Sequence, residues 1–304
     1  MRLGIDIGGT KTAVAAVAPN GSIVAQRSGP SGRGPDGVAA AATALARLTI
    51  ADAGLPLDAV GACMPGMVDP GSGVVRHAVN LGVEELDLAS ALSASLGVPV
   101  AVDNDVKAAA LGAALHVSSR AGGSVETLAY LNLGTGLAAA VLREGKVLRG
   151  PDGAVGEIGH LPVGTGLPCQ CGQLGCLETI ASGSAVARIW RPGAGGSPDP
   201  FAAAEAGDEE AAEAAMVLAD GVALALQLLA VAAGPERIIV GGGVARAPGL
   251  GPAVGSALLE RAAASRFVAS LRLSELFEVL PPELPVASLG ASLLPAAPVP
   301  VASR

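Results

Sequence analysis

A strand, a glycine turn, a second strand, a tight turn and a third strand occur in that order twice along this chain. The first copy runs from Leu3-Gly-Ile-Asp6-Ile-Gly8-Gly9-Thr10-Lys11 through Ala13 to Val17, then Asn20-Gly21, then Ser22 to Gln26. The second runs from Leu128 to Leu133 through Gly134-Thr135-Gly136, then Leu137 to Leu142, Glu144-Gly145, and Lys146 to Arg149. Alternating apolar residues between Gly-rich turns define antiparallel strands, and Asn-Gly defines a hairpin. The recurrence implies an internal duplication with one copy in each of two domains. It rules out an all-helical fold.

Between and after the copies the pattern is α/β. Asp36 to Gly54 is Ala-rich and helical, Ala59 to Met64 is a strand, and Leu86 to Leu96 is a helix ended by Gly97. Val98 to Val102 is a short strand leading into Asp103-Asn104-Asp105, where an Asp or Asn caps a helix over Val106 to His116. Ala121 to Ser124 marks a domain boundary. Ser182 to Trp190 is helical, Pro192 to Pro200 is a Gly/Pro loop, and Phe201 to Ala233 holds one or two helices. Arg237 to Val240 is a strand running into Gly241-Gly242-Gly243. We expect a smaller α/β domain over 1–120 and a larger one over 121–288. Residues 289–304 are expected to pack back on the first domain, with a frayed tail from Pro295.

The apolar fraction is 51% with aromatics at only 2%, so the core is built from Ala, Val and Leu. A net charge of -8 argues against duplex nucleic acid as a partner but not against small anions, which backbone N–H groups can bind. Met1-Arg2 runs straight into the first strand, so we expect no leader. The apolar stretch Val222 to Ala233 reads as too short to span a bilayer. We expect no membrane partner and a cytoplasmic protein. Cys63 stands apart from the other cysteines and reads as a small buried residue.

Three clusters carry chemistry. Asp6, Gly8, Gly9, Thr10 and Lys11 sit at the first glycine turn, where successive N–H groups form an anion nest and Asp6 suits hydrated Mg²⁺. The turn is not a Walker A loop. Gly134, Thr135 and Gly136 occupy the equivalent turn of the second copy. Two such turns facing each other across a cleft would clamp a nucleotide triphosphate, and Gly241, Gly242 and Gly243 suit close approach to an adenosine. Asp103-Asn104-Asp105 lies where a strand meets a helix. If one Asp there caps the helix, the other is a candidate general base; we prefer Asp105 in that role, with Asn104 as a hydroxyl-binding partner.

The strongest signal is Glu157-Ile158-Gly159-His160 followed by Cys169, Cys171 and Cys176, then Glu178. Three of the four cysteines fall within eight residues, with one of only three histidines just upstream. Three thiolates and an imidazole make a closed structural zinc set, in a knot spanning 157–178. Zinc has no need of the flanking Glu157 and Glu178.

With these pieces assembled, the chain resembles the ROK family of bacterial sugar kinases and repressors, most of all its glucokinase branch. The resemblance runs from Leu3 to about Leu294. It rests on the Asp6 to Lys11 motif, Pro65-Gly66-x-Val68-Asp69, Asn80-Leu81, Asn104-Asp105, Gly134-Thr135-Gly136, Gly156 to His160, the cysteine knot and Gly241-Gly242-Gly243. It implies an actin-like, hexokinase-type α/β fold of two domains around a cleft. It implies transfer of the ATP γ-phosphoryl, with Mg²⁺, to a sugar hydroxyl, typically O6 of glucose. It further implies Asp105 as base, with Gly66, Asn80, Asn104, Glu157, His160 and Glu178 at the sugar. Zinc is implied on His160, Cys169, Cys171 and Cys176, in a homodimer or homotetramer.

The chain departs from the family pattern at Leu137-Ala138-Ala139-Ala140, where relatives keep glycines, and this bears on the donor, with GTP or polyphosphate as alternatives to ATP. It departs again at Gly82-Val83-Glu84-Glu85-Leu86, where glucokinases often carry a tryptophan, and at Ala113, where relatives often have Glu. These leave fructose, an N-acetylhexosamine or a cyclitol as alternative acceptors. Sugar-sensing repressors of the family carry a helix-turn-helix ahead of the first phosphate motif. Here that motif opens at Asp6, so a non-catalytic repressor is the lesser expectation.

Overall fold

A computed structural model describes residues 1–121, 123, 125–150, 153–193 and 199–294. Most of the Pro192 to Pro200 loop, part of the Ala121 to Ser124 boundary and the tail from Pro295 lie outside the described residues. The chain divides into two units, one comprising Met1–Gly123 with Pro285–Arg304 and the other Ser124–Leu284.

The first unit opens with β1 (Arg2–Ile7), β2 (Lys11–Val17) and β3 (Ile23–Pro30), an antiparallel meander. Helix α1 (Gly34–Ala53) follows, closed by Gly54 in the left-handed conformation. Then come β4 (Ala59–Met64), β5 (Met67–Asp69), β6 (Val74–Ala78), β7 (Val83–Asp87), α2 (Leu88–Leu96), β8 (Val100–Asn104) and α3 (Asp105–Ala121). The main sheet has the order β3-β2-β1-β4-β8, with β4 and β8 parallel to β1. Its core is aliphatic, with Leu3, Ile5, Val14, Ala42, Ala62, Met64 and Leu92 fully buried.

The second unit repeats this plan. It holds β9 (Thr127–Leu133), β10 (Leu137–Arg143), β11 (Lys146–Val147), α4 (Gly183–Ile189), α5 (Pro200–Glu205), α6 (Glu209–Ala233), β12 (Arg237–Gly241), α7 (Leu250–Ala264), α8 (Arg266–Ser270), α9 (Leu273–Leu276) and β13 (Phe277–Val279). Its sheet order is β11-β10-β9-β12-β13, again three antiparallel strands followed by two parallel to the first. The two sheets therefore share one topology, as the repeated sequence pattern requires.

The final helix α10 (Val286–Ala291) belongs to the first unit and lies backbone-to-backbone on its sheet. A Cβ at Gly4 would sit 1.7 Å from the Ser288 carbonyl oxygen, and one at Gly61 1.9 Å from that of Ala291. Only glycine in β1 and β4 permits such an approach.

Three local readings change. Leu86 and Asp87 end strand β7 rather than start a helix, and the Asp87 side chain caps α2 by accepting from Ser90 N at 3.0 Å. Strands β5, β6 and β7 form a small antiparallel sheet that the sequence reading left out, because each is only three to five residues long. The apolar stretch Val222 to Ala233 is the second half of a 25-residue helix, α6, long and apolar enough by length and composition to cross a membrane. Its Leu218, Val222, Leu226 and Leu229 are buried in the second unit's core, and Asp220 pairs with Arg261 at 2.7 Å.

Candidate functional site

In the first unit the candidate residues gather at the carboxyl ends of parallel strands, where an open α/β sheet places its ligands. Register puts Asp6 of β1 opposite Cys63 of β4, and Cys63 opposite Asp103 of β8. The next turn of chain beyond β8 brings Asp105 to the start of α3. Asp6 and Asp105, 99 positions apart in sequence (105 − 6), thus act on each other electrostatically. Burial, reinforced by the Asp105 charge and offset by a hydrogen bond from the Cys63 thiol, pushes the Asp6 carboxyl up to about 7. Two carboxylates crowded in this way suit a divalent cation, which relieves their repulsion.

The first glycine turn closes through Gly8 N donating to Lys11 O at 3.0 Å. It is braced from below by Ser31, whose hydroxyl donates to Gly8 O at 2.7 Å and accepts from Thr12 Oγ1 at 3.0 Å. Both hydroxyl residues are fully buried. Gly9, Thr10 and Lys11 are exposed at the tip. Asn80, on a short 3-10 turn, lies next to Gly9, since a Cβ at Gly9 would be 3.3 Å from that of Asn80.

The cap of α3 is Asn104 and not an aspartate. The helix begins one residue earlier than expected, at Asp105, so Asn104 stands in the cap position. Its Oδ1 accepts from Val106 N at 3.0 Å and Lys107 N at 3.3 Å. Its amide nitrogen is 3.4 Å from Gly66 O, which brings Asn104 and Gly66 together. Asp103 is buried and accepts from Asn104 N at 2.8 Å.

In the second unit Gly134 N donates to Gly136 O at 3.0 Å, which closes a turn equivalent to the first. It is braced by Gly183 N donating to Gly134 O at 2.9 Å and Ser184 N to Thr135 O at 3.0 Å. The Gly156 to His160 segment is strapped to β10 at Ala139. Ala139 N donates to Gly156 O at 2.7 Å, and a Cβ at Gly156 would meet Ala139 O at 1.9 Å. Glu157 is exposed just ahead of a 3-10 turn that carries His160.

The knot folds by short backbone links. Val163 N donates to Gly175 O and Gly175 N to Leu167 O, both at 2.7 Å, and Gly172 N closes the Cys169 turn at 3.0 Å. His160 and the three cysteines converge so that one ligand atom from each lies within 4.8 Å of all the others. His160 Nδ1 is 3.8 Å from Cys169 Sγ, and the Cys171 and Cys176 sulfurs are 3.7 Å apart. A tetrahedron with metal–sulfur bonds of about 2.3 Å sets its sulfurs roughly 3.7 Å apart, so the donors fit a zinc-sized ion. Burial and the Glu178 carboxylate push the Cys169 thiol up to about 12, while Gln173's backbone N–H and side chain hold Cys171 down to about 6.

Glu178 lies against both parts of this unit. Its Oε1 accepts from Cys169 Sγ at 3.0 Å and is 3.6 Å from His160 Nδ1, while a Cβ at Gly136 would meet its Oε2 at 2.8 Å. With Thr135, Ser184 and Arg188 it lines a polar cavity of about 230 Å³. The triple glycine divides by role. Gly241 and Gly242 are shaped by packing, since Cβ atoms there would meet Tyr130 Oη at 2.5 Å and Leu133 O at 2.3 Å. Only Gly243 faces open space. Sequence reasoning missed Ser31 and the placement of Cys63, because nothing local links either to a turn or a strand far away in the chain.

The repeated sheet topology, the two glycine turns and the Cys/His cluster define an α/β protein of the actin-like class. The ROK family pattern matches residues 2–275, and the chain belongs to that family. It is 33% identical to a glucokinase of Halalkalibacterium halodurans, with 81% of each chain covered. It is 30% identical to an N-acetylmannosamine kinase of Escherichia coli, covering 81% of this chain and 84% of that one. Among solved structures it is similar to a ROK hexokinase from Thermus thermophilus, at 31% identity and a TM-score of 0.77 over 96% and 97% of the two chains. A ROK glucokinase from Streptomyces griseus, in complex with glucose and AMPPNP, matches at 28% identity and a TM-score of 0.76 over 96% and 98%.

Proposed function

We propose that the protein is an ATP-dependent hexose kinase that transfers the γ-phosphoryl group to a sugar hydroxyl, with glucose O6 as first choice. The observation that carries this reading is the electrostatic coupling of buried Asp6, at the end of β1, to Asp105, at the start of α3, beside a braced glycine turn. Phosphoryl transfer asks for positioning and charge neutralisation more than covalent help.

Asp105 is the general base. It takes the proton from the acceptor hydroxyl as that oxygen bonds to the γ-phosphorus and the bond to the ADP oxygen breaks. Asn104 keeps its Oδ1 on the helix cap, which fixes its side chain and turns its amide hydrogens toward Gly66 and a sugar hydroxyl. Asn80 and Gly66 complete the acceptor contacts of this unit. Glu157, His160 and Glu178 supply those of the other.

The N–H groups of Gly8 to Lys11 and of Gly134 to Gly136 hold the phosphates, and Gly243 leaves room for the nucleoside. Magnesium, when bound with ATP, neutralises charge on the phosphates, and Asp6 is the residue that would hold it through its water shell. Zinc on His160, Cys169, Cys171 and Cys176 is structural, because all four donors come from the protein. His160 presents Nδ1 to the cluster, which leaves Nε2 for a sugar hydroxyl. We place the enzyme in the cytoplasm as a homodimer or homotetramer.

The N-acetylmannosamine kinase among its relatives supports a second reading, in which the acceptor is an N-acetylhexosamine. A coupled ADP-release assay separates the two. The purified protein is given MgATP, MgGTP or polyphosphate against hexoses, N-acetylhexosamines and cyclitols. Turnover of glucose above the rest is the expected result. Preference for an N-acetylhexosamine selects the second reading, and inertness toward every acceptor refutes both.

A further inference from the structure

The mechanism above leaves one buried nucleophilic group unused. Cys63 has no solvent exposure and lies between Asp6 and the carbonyl of Ala287 on α10. Its sulfur is 3.8 Å from Asp6 Oδ1 and 3.8 Å from Ala287 O. We infer that Cys63 is a positioning residue for the nucleotide's magnesium: its thiol proton fixes one oxygen of Asp6 and leaves the other to face the cation's water shell.

The argument starts from the strands. Asp6, Cys63 and Asp103 are register neighbours across β1, β4 and β8, so the backbone ladder sets the thiol beside the carboxylate. An aspartate on a strand end has a broad terminal torsion and needs a partner to hold one orientation. Among the described residues Cys63 is the side chain that donates to Asp6. The neighbouring Asp105 repels it when ionised, and α10 carries no ionisable side chain.

One thiol proton serves two acceptors. The carboxylate, when ionised, is the stronger of them, so the proton goes to Asp6. The sulfur is fully enclosed. Gly4 and Gly61 admit α10 closely against the sheet, and the thiol carried by β4 is enclosed by Ala101, Ala108 and Ala291. A small side chain with a single proton donor fits this space. A charged side chain, or one much larger than cysteine, does not.

This inference rests on the kinase reading, and the test keeps the two apart. C63A removes the donor, C63S restores one, and C63V refills the volume without a donor should C63A melt early. Calorimetry measures AMPPNP binding to each protein with and without Mg²⁺, and steady-state assays measure KM for MgATP and for the acceptor. With Mg²⁺ present, C63A is expected to bind the nucleotide about five- to tenfold more weakly than the parent, the net loss of one ordinary hydrogen bond. C63S should lie within about twofold of the parent, on the same principle. Binding without Mg²⁺, and KM for the acceptor, should not change.

Equal weakening in C63A and C63S, equal weakening without Mg²⁺, or no change in C63A would each overturn the inference. A parent protein that binds Mg²⁺ and AMPPNP but phosphorylates nothing would refute the kinase reading and leave this one standing.

Discussion

Replacing Asp6 with asparagine should make the magnesium-free protein more stable at pH 8, although it removes a functional residue. The carboxyl has an ordinary value of 3.8 and is pushed to about 7 by burial and by Asp105. A carboxyl whose folded value lies above its unfolded one costs nothing while both states are protonated, below about pH 4. The cost grows as pH rises toward 7 and is constant above that. Three units at about 1.4 kcal/mol each give an upper bound of about 4 kcal/mol at pH 8. At pH 5 the same arithmetic leaves about 1–2 kcal/mol. Asparagine has the same shape, still accepts from Cys63, and never ionises. Urea denaturation of both proteins without added magnesium, at pH 8 and pH 5, reads the difference directly. The reasoning fails if the variant is no more stable at pH 8, or if the gap is the same at both pH values. MgATP binding should fall in the same variant, since the site trades stability for function.

Asp105→Ala should lower kcat roughly 10²- to 10⁴-fold with folding and acceptor binding intact, and stopped-time assays with long incubation check it. Cys171→Ser should lose bound zinc, measured by elemental analysis, and lower the melting temperature of the second unit; zinc-free wild-type protein would remove the basis of that expectation. Gly136→Ala sets a methyl 2.8 Å from Glu178 Oε2, the far end of a flexible side chain. It should cost little stability but displace Glu178, raising KM for the acceptor severalfold with kcat near normal. A change confined to the nucleotide KM would contradict that placement.

Local chemistry was legible in the chain before any coordinates. Alternation and Gly-rich turns marked β1 to β3 and β9 to β11, because strand period and turn residues act over a few positions. The cysteine spacing marked a metal set, since all four donors lie within one short stretch. Asp105 stood out as a carboxylate where a strand meets a helix. Elements whose identity depends on partners were not legible. Strands β5 to β7 hold each other up as a sheet and carry little pattern singly. Over Phe201 to Ala233 the pattern allowed one helix or two, and the packed chain has two, α5 and α6. That Gly241 and Gly242 also make room for Tyr130 and Leu133 could not be read from their local sequence.

The repeated strand–turn pattern and the Cys/His cluster, then, were determined by the sequence alone, for they depend on neighbours along the chain. The tertiary structure decided what those parts do together. Parallel pairing of β1, β4 and β8 is non-local, and it coupled Asp6 to Asp105 and made Cys63, read from sequence only as a small buried residue, Asp6's hydrogen-bond partner. Register across a parallel sheet is chosen by the packing of whole strands and of the helix above them, which no short stretch of residues encodes.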